Sequence, residues 1–372
     1  MSKNSLNDIE SFVRELLTTN KFYELEVDSA QTIKGLTKIP VISKYNFNSG
    51  LNYKLINQAQ DEKVIEIKET GNVSELEVYN HANYPVLIPS GSLLISKKGG
   101  WQDRVLTTDI LIEANCMLRL PVACVEQYRW RPRPESEFNR IYQKLGIDES
   151  YEESDFHAMY FVSPRVTRVL MTSIDDNIEK GYSGSMRFRV NQAEVWREVE
   201  KEIEEANAKT LTKAFTEVFI KDDKKLEFDI YEGEVGDIFI GSGKILGMEL
   251  YETPDIWRNI CGQTIKRYKL AAKDQKDFDK RALDKFFSDL SKCEVKAKKS
   301  LGLGFDVRIT KSVNGACLII GSAQNYTPAH ITIVPKEEIG ERLLDSSWIL
   351  QDTTNSPPGL PRMYQEVIRC FD

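Results

Sequence analysis

One short stretch of the chain, VACVEQYRWRPRP at residues 122–134, combines a thiol, a carboxylate and three arginines. Cys124 offers a potential nucleophile, and Glu126 offers a potential general acid or base. Arg129 and Arg131 carry planar guanidinium groups that suit phosphate oxygens. The two prolines near the end of the stretch favour an extended chain over a helix. The stretch is therefore a catalytic cluster, an anion-binding surface or a charged strand end.

The thiol of Cys124 lies between apolar neighbours, and no histidine is close to it in sequence. Because nothing visible favours its thiolate form, a buried and inert thiol is favoured over a nucleophile. A cysteine hydrolase would need a histidine within hydrogen-bonding distance of the thiol. His81, His157 and His330 are the three histidines of the chain and hence the candidates for that role.

Two further segments place polar side chains where they can meet a ligand. Gln102 and Arg104 follow a Gly-Gly pair and are two residues apart, so they share one side of an extended chain. Arg187 and Arg189 precede a predicted helix, and Gln192 lies in its first turn. The free N–H groups of a helix N-terminus favour anions. The alternatives are an ordinary charged turn for the first segment and, for the second, arginines paired with the acidic residues around 152–155.

The composition restricts the class of protein. The chain has 372 residues and a net charge of −7, which argues against general nucleic-acid binding because that function usually needs a basic surplus. No apolar run approaches the roughly 20 residues that span a bilayer, and the N-terminus lacks the apolar core of a signal peptide. The six cysteines form no CxxC pair, and the histidines are far apart. We therefore expect a cytoplasmic protein with reduced thiols, no membrane contact and no metal site.

Hydrophobic periodicity predicts the order of helices and strands. Residues 5–18 have helical spacing, whereas 63–69 and 74–80 alternate apolar and polar residues around a Gly71-Asn72 turn. Residues 162–174 fit a strand or a helix, with the helix preferred. Further helices are expected at 191–206, 210–220, 253–273 and 277–292, and a hairpin at 235–251. The predicted fold class is α+β, an antiparallel β-rich unit (a sandwich or barrel-like sheet) with packed helices from the second half.

The helix predicted at 191–206 carries local signals of its own. Asn191 and Glu194 resemble a capping box at its start. Trp196 is expected in its buried stripe, with the many glutamates on a solvated face opposite.

The predicted organisation has three parts. Residues 1–40 form an N-terminal helix and lead-in. The body covers 41–344, β-rich over 41–134 and helical and mixed over 135–344. Residues 345–372 read as a proline-rich tail with a short helix.

The order of several motifs resembles one known family. The motifs are IPSGSLLISKKGGWQDRVL, LPVACVEQYRW, NQAEVWREV, GEVGDIFIGSGKILGMELYE, GLGFDVR and AHITIVP, and they span roughly residues 70–335. The chain is similar in these to the ARPP domain, the ADP-ribosylglycohydrolase- and rhodanese-phosphatase-superfamily-associated protein domain. The family more often has Gln-Asn-Arg where this chain has Gln102-Asp103-Arg104. The resemblance carries over to Gln102, Arg104, Cys124, Glu126, Arg129, Trp130, Gln192, Trp196 and Gly247.

The resemblance implies a partner of NAD and ADP-ribose processing systems, with no firmly attached reaction. We therefore expect an arginine-lined pocket that binds a phosphorylated nucleotide-like molecule, such as an NAD or ADP-ribose derivative. A further hypothesis is that the protein also processes this molecule. Glu126 is the candidate acid/base, and Trp101 or Trp130 is the candidate stacking platform for a base. The expected ligand-binding residues are Gln102, Arg104, Arg129, Trp130, Arg131, Arg187, Arg189 and Gln192. The alternative is a non-enzymatic interaction or scaffold module that acts through self-association or partner docking. No cofactor is predicted from the sequence.

Overall fold

A computed structural model of the chain gives its fold. Segments with alternating or continuous apolar residues form strands, and segments with helical apolar spacing form helices that cover the sheets. The structure describes residues 3–97, 101–127, 135–147, 153–208, 213–221, 226–272, 280–322 and 325–336. All of these except residue 336 belong to one compact unit. The predicted tail at 345–372 lies outside the described residues, so that part of the proposed organisation stays a prediction.

The helices vary from six to eighteen residues. They are α1 (Lys3–Thr18), α2 (Ile56–Asp61), α3 (Glu135–Leu145), α4 (Pro164–Glu179), α5 (Gln192–Glu205), α6 (Thr216–Lys221), α7 (Pro254–Ala271) and α8 (Lys280–Ser291). Short 3₁₀ helices lie at Val27–Ser29 and Gly184–Phe188. No helix in the described ranges has the length and apolar character needed to cross a membrane.

The strands are short to medium in length. They are β1 (Tyr23–Leu25), β2 (Gln31–Ile33), β3 (Leu36–Ser43), β4 (Lys54–Leu55), β5 (Ile65–Glu69), β6 (Glu75–Asn80), β7 (Val86–Ile88), β8 (Ser92–Ser96), β9 (Arg104–Leu106), β10 (Ile110–Ile112), β11 (Cys116–Cys124), β12 (Phe156–Phe161), β13 (Glu234–Gly241), β14 (Lys244–Tyr251), β15 (Glu294–Lys299), β16 (Phe305–Thr310), β17 (Val313–Ile320) and β18 (Thr327–Pro335). All pairings are antiparallel except that of β4 with β7.

A nine-stranded sheet forms the larger layer, in the order β1-β3-β13-β14-β18-β17-β16-β15 with β2 paired to β3. One face is covered by α1 and α8, whose apolar stripes bury residues such as Val13 and Leu290. The other face is covered by α7, which buries Trp257 and Tyr268 against the sheet. Burial on both faces explains the near-continuous apolar character of β13 and β17.

A six-stranded sheet, in the order β12-β8-β9-β11-β6-β5, forms the second layer. The segment leading into β12 reaches β5, because the Asp155 N–H donates to the Ile67 carbonyl at 2.8 Å and the Ile67 N–H donates to Ser154 Oγ at 3.0 Å. This sheet therefore curls until its two ends meet. Helices α3, α4, α5 and α6 cover it over one apolar cluster, with Val105 and Val195 among its buried members.

The predicted α+β class with mainly antiparallel sheets is confirmed. The ambiguous segment 162–174 is helical, since α4 begins at Pro164 with Ser163 as its cap. The Asn191 side chain caps α5 as predicted, accepting from the Glu194 N–H at 3.3 Å. The glutamates of α5 are not all solvated, because Glu198 and Glu202 are buried.

The glycines of GLGFDVR serve close packing. A Cβ at Gly302 would lie 2.2 Å from the Leu111 carbonyl oxygen, which accepts a hydrogen bond from the Leu303 N–H. Only glycine allows these two backbones to approach so closely. The motif therefore joins the β15–β16 connection to β10.

A buried imidazole links the layers. His330 of β18 bonds through Nδ1 to Asp109 Oδ1 at 2.8 Å and through Nε2 to Glu249 Oε2 at 2.9 Å. Arg267 and Tyr268 of α7 both donate to the other oxygen of Glu249. Burial lowers the pKa of His330, but the two carboxylates outweigh burial and raise that pKa to about 9. His330 is therefore a cation at neutral pH and joins β18, β14 and the start of β10.

The His330 cluster predicts a stability that depends on pH. The pKa of His330 is about 9 in the folded chain against 6.5 as the ordinary value. Its contribution is therefore fully present below about pH 6.5 and is lost as the pH rises through about 9, by at most ~1.4 kcal/mol per pH unit. Denaturant unfolding from pH 6 to 9.5 should show this decline in the wild type and a flatter profile in His330→Gln. Equal slopes in both proteins would contradict the assignment.

Candidate functional site

Strand pairing brings together two of the segments predicted to carry chemistry. Strand β9 begins at Arg104 and pairs with the end of β11, so that Cys124 lies opposite Arg104. Gln102 precedes β9 and Glu126 follows β11, and all four residues are buried. The site is therefore built at one end of the β9–β11 ladder rather than on an exposed turn.

The side chain of Glu126 is wholly buried and is held by the backbone opposite. Its Oε2 accepts a hydrogen bond from the Asp103 N–H at 3.1 Å. Its own carbonyl accepts from Gln102 Nε2 at 2.9 Å. A bridge to Ala214 extends this pairing past the end of β11. Glu126 thus continues the strand pairing by means of its side chain, which is a structural task.

Arg104 is 3% exposed and lies between a carbonyl and a carboxylate. Its Nη1 donates to the Gln102 carbonyl at 3.0 Å, and its Nη2 lies 3.6 Å from Glu69 Oε2. Burial raises the pKa of Glu69, although Arg104 opposes that shift. Among the residues that the structure describes, neither Arg104 Nε nor Glu69 Oε2 has a hydrogen-bond partner. The pair is a buried ion pair with incomplete hydrogen bonding.

Asp103 lies between Gln102 and Arg104 and is wholly buried. Its carboxylate accepts from the Ser96 N–H at 3.0 Å and from the Thr216 hydroxyl. These contacts join β8 and α6 to the β9–β11 ladder. The added negative charge is thus used inside the protein, where it faces main-chain and hydroxyl donors.

The Cys124 thiol is buried, and its Sγ lies 3.5 Å from Gln102 Oε1. Burial raises the pKa of Cys124, with Arg104 acting in the opposite direction and Glu69 and Glu126 adding to the rise. The described partners of the three histidines do not include Cys124. The thiol therefore has the surroundings of a packed core cysteine.

Gln192 connects α5 to the same strand end. Its Oε1 accepts from the Cys124 N–H at 2.9 Å, and its Nε2 donates to the Cys124 carbonyl at 2.7 Å. The amide satisfies both backbone groups of one residue, as a neighbouring strand would. The position is fixed because Gln192 is the first residue of α5, directly after the Asn191 cap.

The other arginines of the predicted site have different surroundings. Arg187 is buried, donates to the Lys299 carbonyl at 2.6 Å and lies 3.5 Å from Asp306. Burial lowers the pKa of Arg187, opposed by Asp306. Arg189 is exposed. The polar contacts of the Arg187 side chain thus lie on β15 and β16, away from the β9–β11 ladder.

The remaining predicted residues, Arg129, Trp130 and Arg131, lie outside the described residues. Within the described ranges, Arg104 has Glu69 as its ion-pair partner, and the nearby carboxylates of Asp103 and Glu126 accept hydrogen bonds from backbone N–H groups. No group of three or more His, Cys, Asp or Glu side chains in these ranges is arranged to hold a metal ion.

Two motif residues on other elements serve packing. A Cβ at Gly247 would lie 2.5 Å from the Tyr268 hydroxyl, so the glycine lets α7 lie close to β14. Trp196 is half-buried rather than part of the core stripe, and its Nε1 is buried without a hydrogen-bond partner. The buried apolar face of α5 is formed instead by Val195, Val199 and Ile203.

A family comparison agrees with the resemblance seen in the motifs. The family model described as the ARG and Rhodanese-Phosphatase-superfamily-associated Protein domain, ARPP-1, matches residues 24–333. The chain belongs to the ARPP-1 family. No curated protein and no solved structure matches it. The ARPP-1 match begins within β1, so it includes part of the segment predicted as a lead-in.

The sequence did not reveal two members of this ARPP-1 cluster, the carboxylate of Glu69 and the hydroxyl of Thr216. Glu69 lies 35 residues before Arg104 in the sequence, and Thr216 lies 112 residues after it. No local pattern marks either residue. The departure at Asp103 was the one visible signal, since an extra acid within a buried motif needs its own donors.

The Gln192 amide predicts a specific loss of stability. Gln192→Ala leaves both backbone groups of Cys124 without their partner, and we expect a loss of about 2–4 kcal/mol in the free energy of unfolding. Gln192→Glu should not recover this loss, because its carboxylate accepts from the Cys124 N–H but places a second acceptor oxygen against the Cys124 carbonyl, where the amide nitrogen donated. Arg197→Gln, on the exposed side of α5, is the matched control and should change little. Chemical denaturation measures all three; an unaffected Gln192→Ala would exclude the bridge.

The buried thiol predicts low reactivity at Cys124. With iodoacetamide at pH 7.5, alkylation should appear at the partly exposed Cys116 well before Cys124. Peptide mapping by mass spectrometry over a time course measures both sites in the native protein, and a denatured sample provides the reference rate. Faster labelling at Cys124 than at Cys116 would restore it as a candidate nucleophile.

Proposed function

We propose that this ARPP-1 chain acts as a non-enzymatic interaction module. In this proposal the polar motif residues hold the β9–β11 ladder, β8, α5 and α6 in register, and recognition takes place at the surface. The observation that carries it is the charge balance of the cluster, in which Arg104 is buried beside Glu69. A guanidinium already neutralised by an internal carboxylate has little attraction left for a phosphate.

The candidate catalytic groups support the same proposal. The Glu126 carboxylate is wholly buried and accepts a hydrogen bond from the Asp103 N–H, whereas a general base has to reach the substrate proton. The raised pKa of Cys124 disfavours its thiolate.

One observation favours a second candidate, the binding of a phosphorylated nucleotide-like molecule such as an NAD or ADP-ribose derivative. Arg104 Nε is buried without a hydrogen-bond partner, so this guanidinium retains donor capacity. A ligand oxygen that entered beside Glu69 would use that capacity. The family description, with its reference to the ARG superfamily, fits such a ligand.

A double-mutant cycle with ligands separates the two proposals. If the Arg104–Glu69 pair is structural, Arg104→Gln should cost about 3 kcal/mol in unfolding free energy, because it leaves a buried carboxylate unpaired. Glu69→Gln is measured alone and together with Arg104→Gln, and the double variant should recover a large part of that loss. Wild-type melting temperature should not change with millimolar NAD, ADP-ribose, AMP or inorganic phosphate. Arg119→Gln, on an exposed arginine of β11, is the control.

The opposite pattern would favour the nucleotide proposal. In that case a nucleotide would raise the wild-type melting temperature, and Arg104→Gln would abolish the rise while leaving the free protein as stable as before. Isothermal titration calorimetry on the same proteins would then measure the dissociation constant.

A further inference from the structure

Strand β15 forms one outer edge of the nine-stranded sheet. Among the residues that the structure describes, it pairs with β16 alone, so its other edge faces away from the sheet. In an antiparallel ladder the N–H and C=O of one residue point to the same side, and residues two apart share that side. The outer edge of β15 therefore presents backbone groups at every second residue, with Ala297 and Lys299 among them.

Side chains of α1 meet backbone groups along this outer edge. The Ala297 N–H donates to Glu10 Oε1 at 2.9 Å. The carbonyl of Cys293, directly before β15, accepts from Arg14 Nη1 at 3.3 Å. Glu10 supplies an acceptor and Arg14 a donor, as the C=O and N–H groups of a further strand would. The two side chains thus take the place of a neighbouring strand.

The caps on this edge differ in how easily they can be displaced. Glu10 is half-buried and Arg14 is exposed, so both side chains can turn into water, where new hydrogen bonds replace the lost ones. Arg187 is buried and donates to the Lys299 carbonyl at 2.6 Å. Arg187 therefore closes the far end of the edge, and the displaceable part lies before Lys299.

Helix α1 packs on the face of β15 and not against its edge. Ile9 and Val13 belong to the same buried apolar cluster as Val295 and Ala297 of β15. A further strand in the plane of the sheet would therefore displace the polar caps and leave these apolar contacts in place.

The charges of β15 specify which kind of strand fits beside it. Lys296 and Lys298 share one face of the strand. Glu294, the acidic residue of β15, is paired with Lys311 at 2.6 Å. Opposite charges on neighbouring strands stabilise their pairing, and like charges oppose it. This edge is therefore basic in a chain of net charge −7, and it favours an acidic strand over a second copy of β15.

We propose that the outer edge of β15 is a docking site at which an extended acidic segment of a partner protein adds as a further strand. The segment displaces the Glu10 and Arg14 side chains and pairs with the backbone that they cap. Its acidic side chains lie beside Lys296 and Lys298. This inference rests on the interaction-module function proposed above and names the kind of partner that such a module takes.

The test measures binding of a capped, fluorescein-labelled heptapeptide of alternating Thr and Glu to the full-length chain, by fluorescence anisotropy at low salt. The double variant Lys296→Gln/Lys298→Gln should bind it about two- to tenfold more weakly than the wild type, because the cross-strand charge pairs are lost. Glu10→Ala should bind it about two- to tenfold more tightly, because the cap no longer competes for the Ala297 N–H.

Two further variants separate the cap from its charge. Glu10→Gln keeps an acceptor for the Ala297 N–H and should remain closer to the wild type than Glu10→Ala does. Glu15→Ala removes another glutamate of α1, one that pairs with Lys21 at the surface, and should bind like the wild type.

Two further peptides separate strand pairing from simple attraction between charges. A heptapeptide with Lys in place of Glu should bind more weakly than the acidic one. The acidic peptide with N-methylated backbone nitrogens keeps its charge but lacks the N–H donors of a strand, so it should lose most of its binding. Hydrogen exchange followed by mass spectrometry should show that the acidic peptide slows exchange of the amides at 295–298.

Several outcomes would overturn the proposal: no binding of the acidic peptide by the wild type or Glu10→Ala, equal binding of its N-methylated form, unchanged affinity in the lysine double variant, or slowed exchange elsewhere than β15. A dimer of the free protein that slows exchange at β15 would make a second copy the occupant and overturn it as well. Should a variant fail to fold, the three peptides with the wild type decide. A nucleotide-dependent rise in melting temperature contradicts the interaction-module function, whereas absent peptide binding without such a rise contradicts this site alone.

Discussion

The described architecture depends on a cation enclosed between two carboxylates. His330 and its partners Asp109 and Glu249 lie 221 and 81 residues apart along the chain. Removing ions from water is costly, and the cost is offset only when the partners are in place. Any arrangement that separated β18 from the start of β10 would leave buried charges unpaired. The cluster therefore selects one arrangement of the nine-stranded sheet against β10, where apolar packing alone would tolerate several.

The same logic extends along the layer beneath α7. Lys38 of β3 donates to Glu234 at 2.7 Å, and the indole N–H of Trp257 donates to the same oxygen. Burial raises the pKa of Asp237, with Lys38 opposing it, which favours a protonated carboxyl at this position. One helix thus covers two buried polar clusters on a single sheet face. This explains why strands of such apolar character also contain fully buried lysine, glutamate and aspartate residues.

Local patterns were enough to predict much of the fold, and long-range partners were not. The alternation around Gly71 gave the β5–β6 hairpin, and the Asn191 cap gave the start of α5, because both depend on neighbours in sequence. The burial of Glu198 and Glu202 depends on Arg165, which approaches from α4. Likewise, the sequence cannot distinguish an Arg104 that binds a ligand from an Arg104 in an internal ion pair, because the guanidinium group is the same in both. The sequence also does not reveal which acidic residue lies beside it. What separates the two roles is the number and kind of partners, which only the tertiary structure supplies.

The outer strands of the nine-stranded and six-stranded sheets affect how readily the protein aggregates at high concentration. The six-stranded sheet curls until its two outer strands, β12 and β5, lie next to each other, so these strands offer little unpaired backbone to another chain. The outer strand β15 of the large sheet carries four charged side chains among six residues, Glu294, Lys296, Lys298 and Lys299. The like-charged lysines repel a second copy of the same strand. The strands at the opposite end of the large sheet are very short, so another chain can form few backbone hydrogen bonds with them. The fold is thereby protected against growth into fibrils by strand addition.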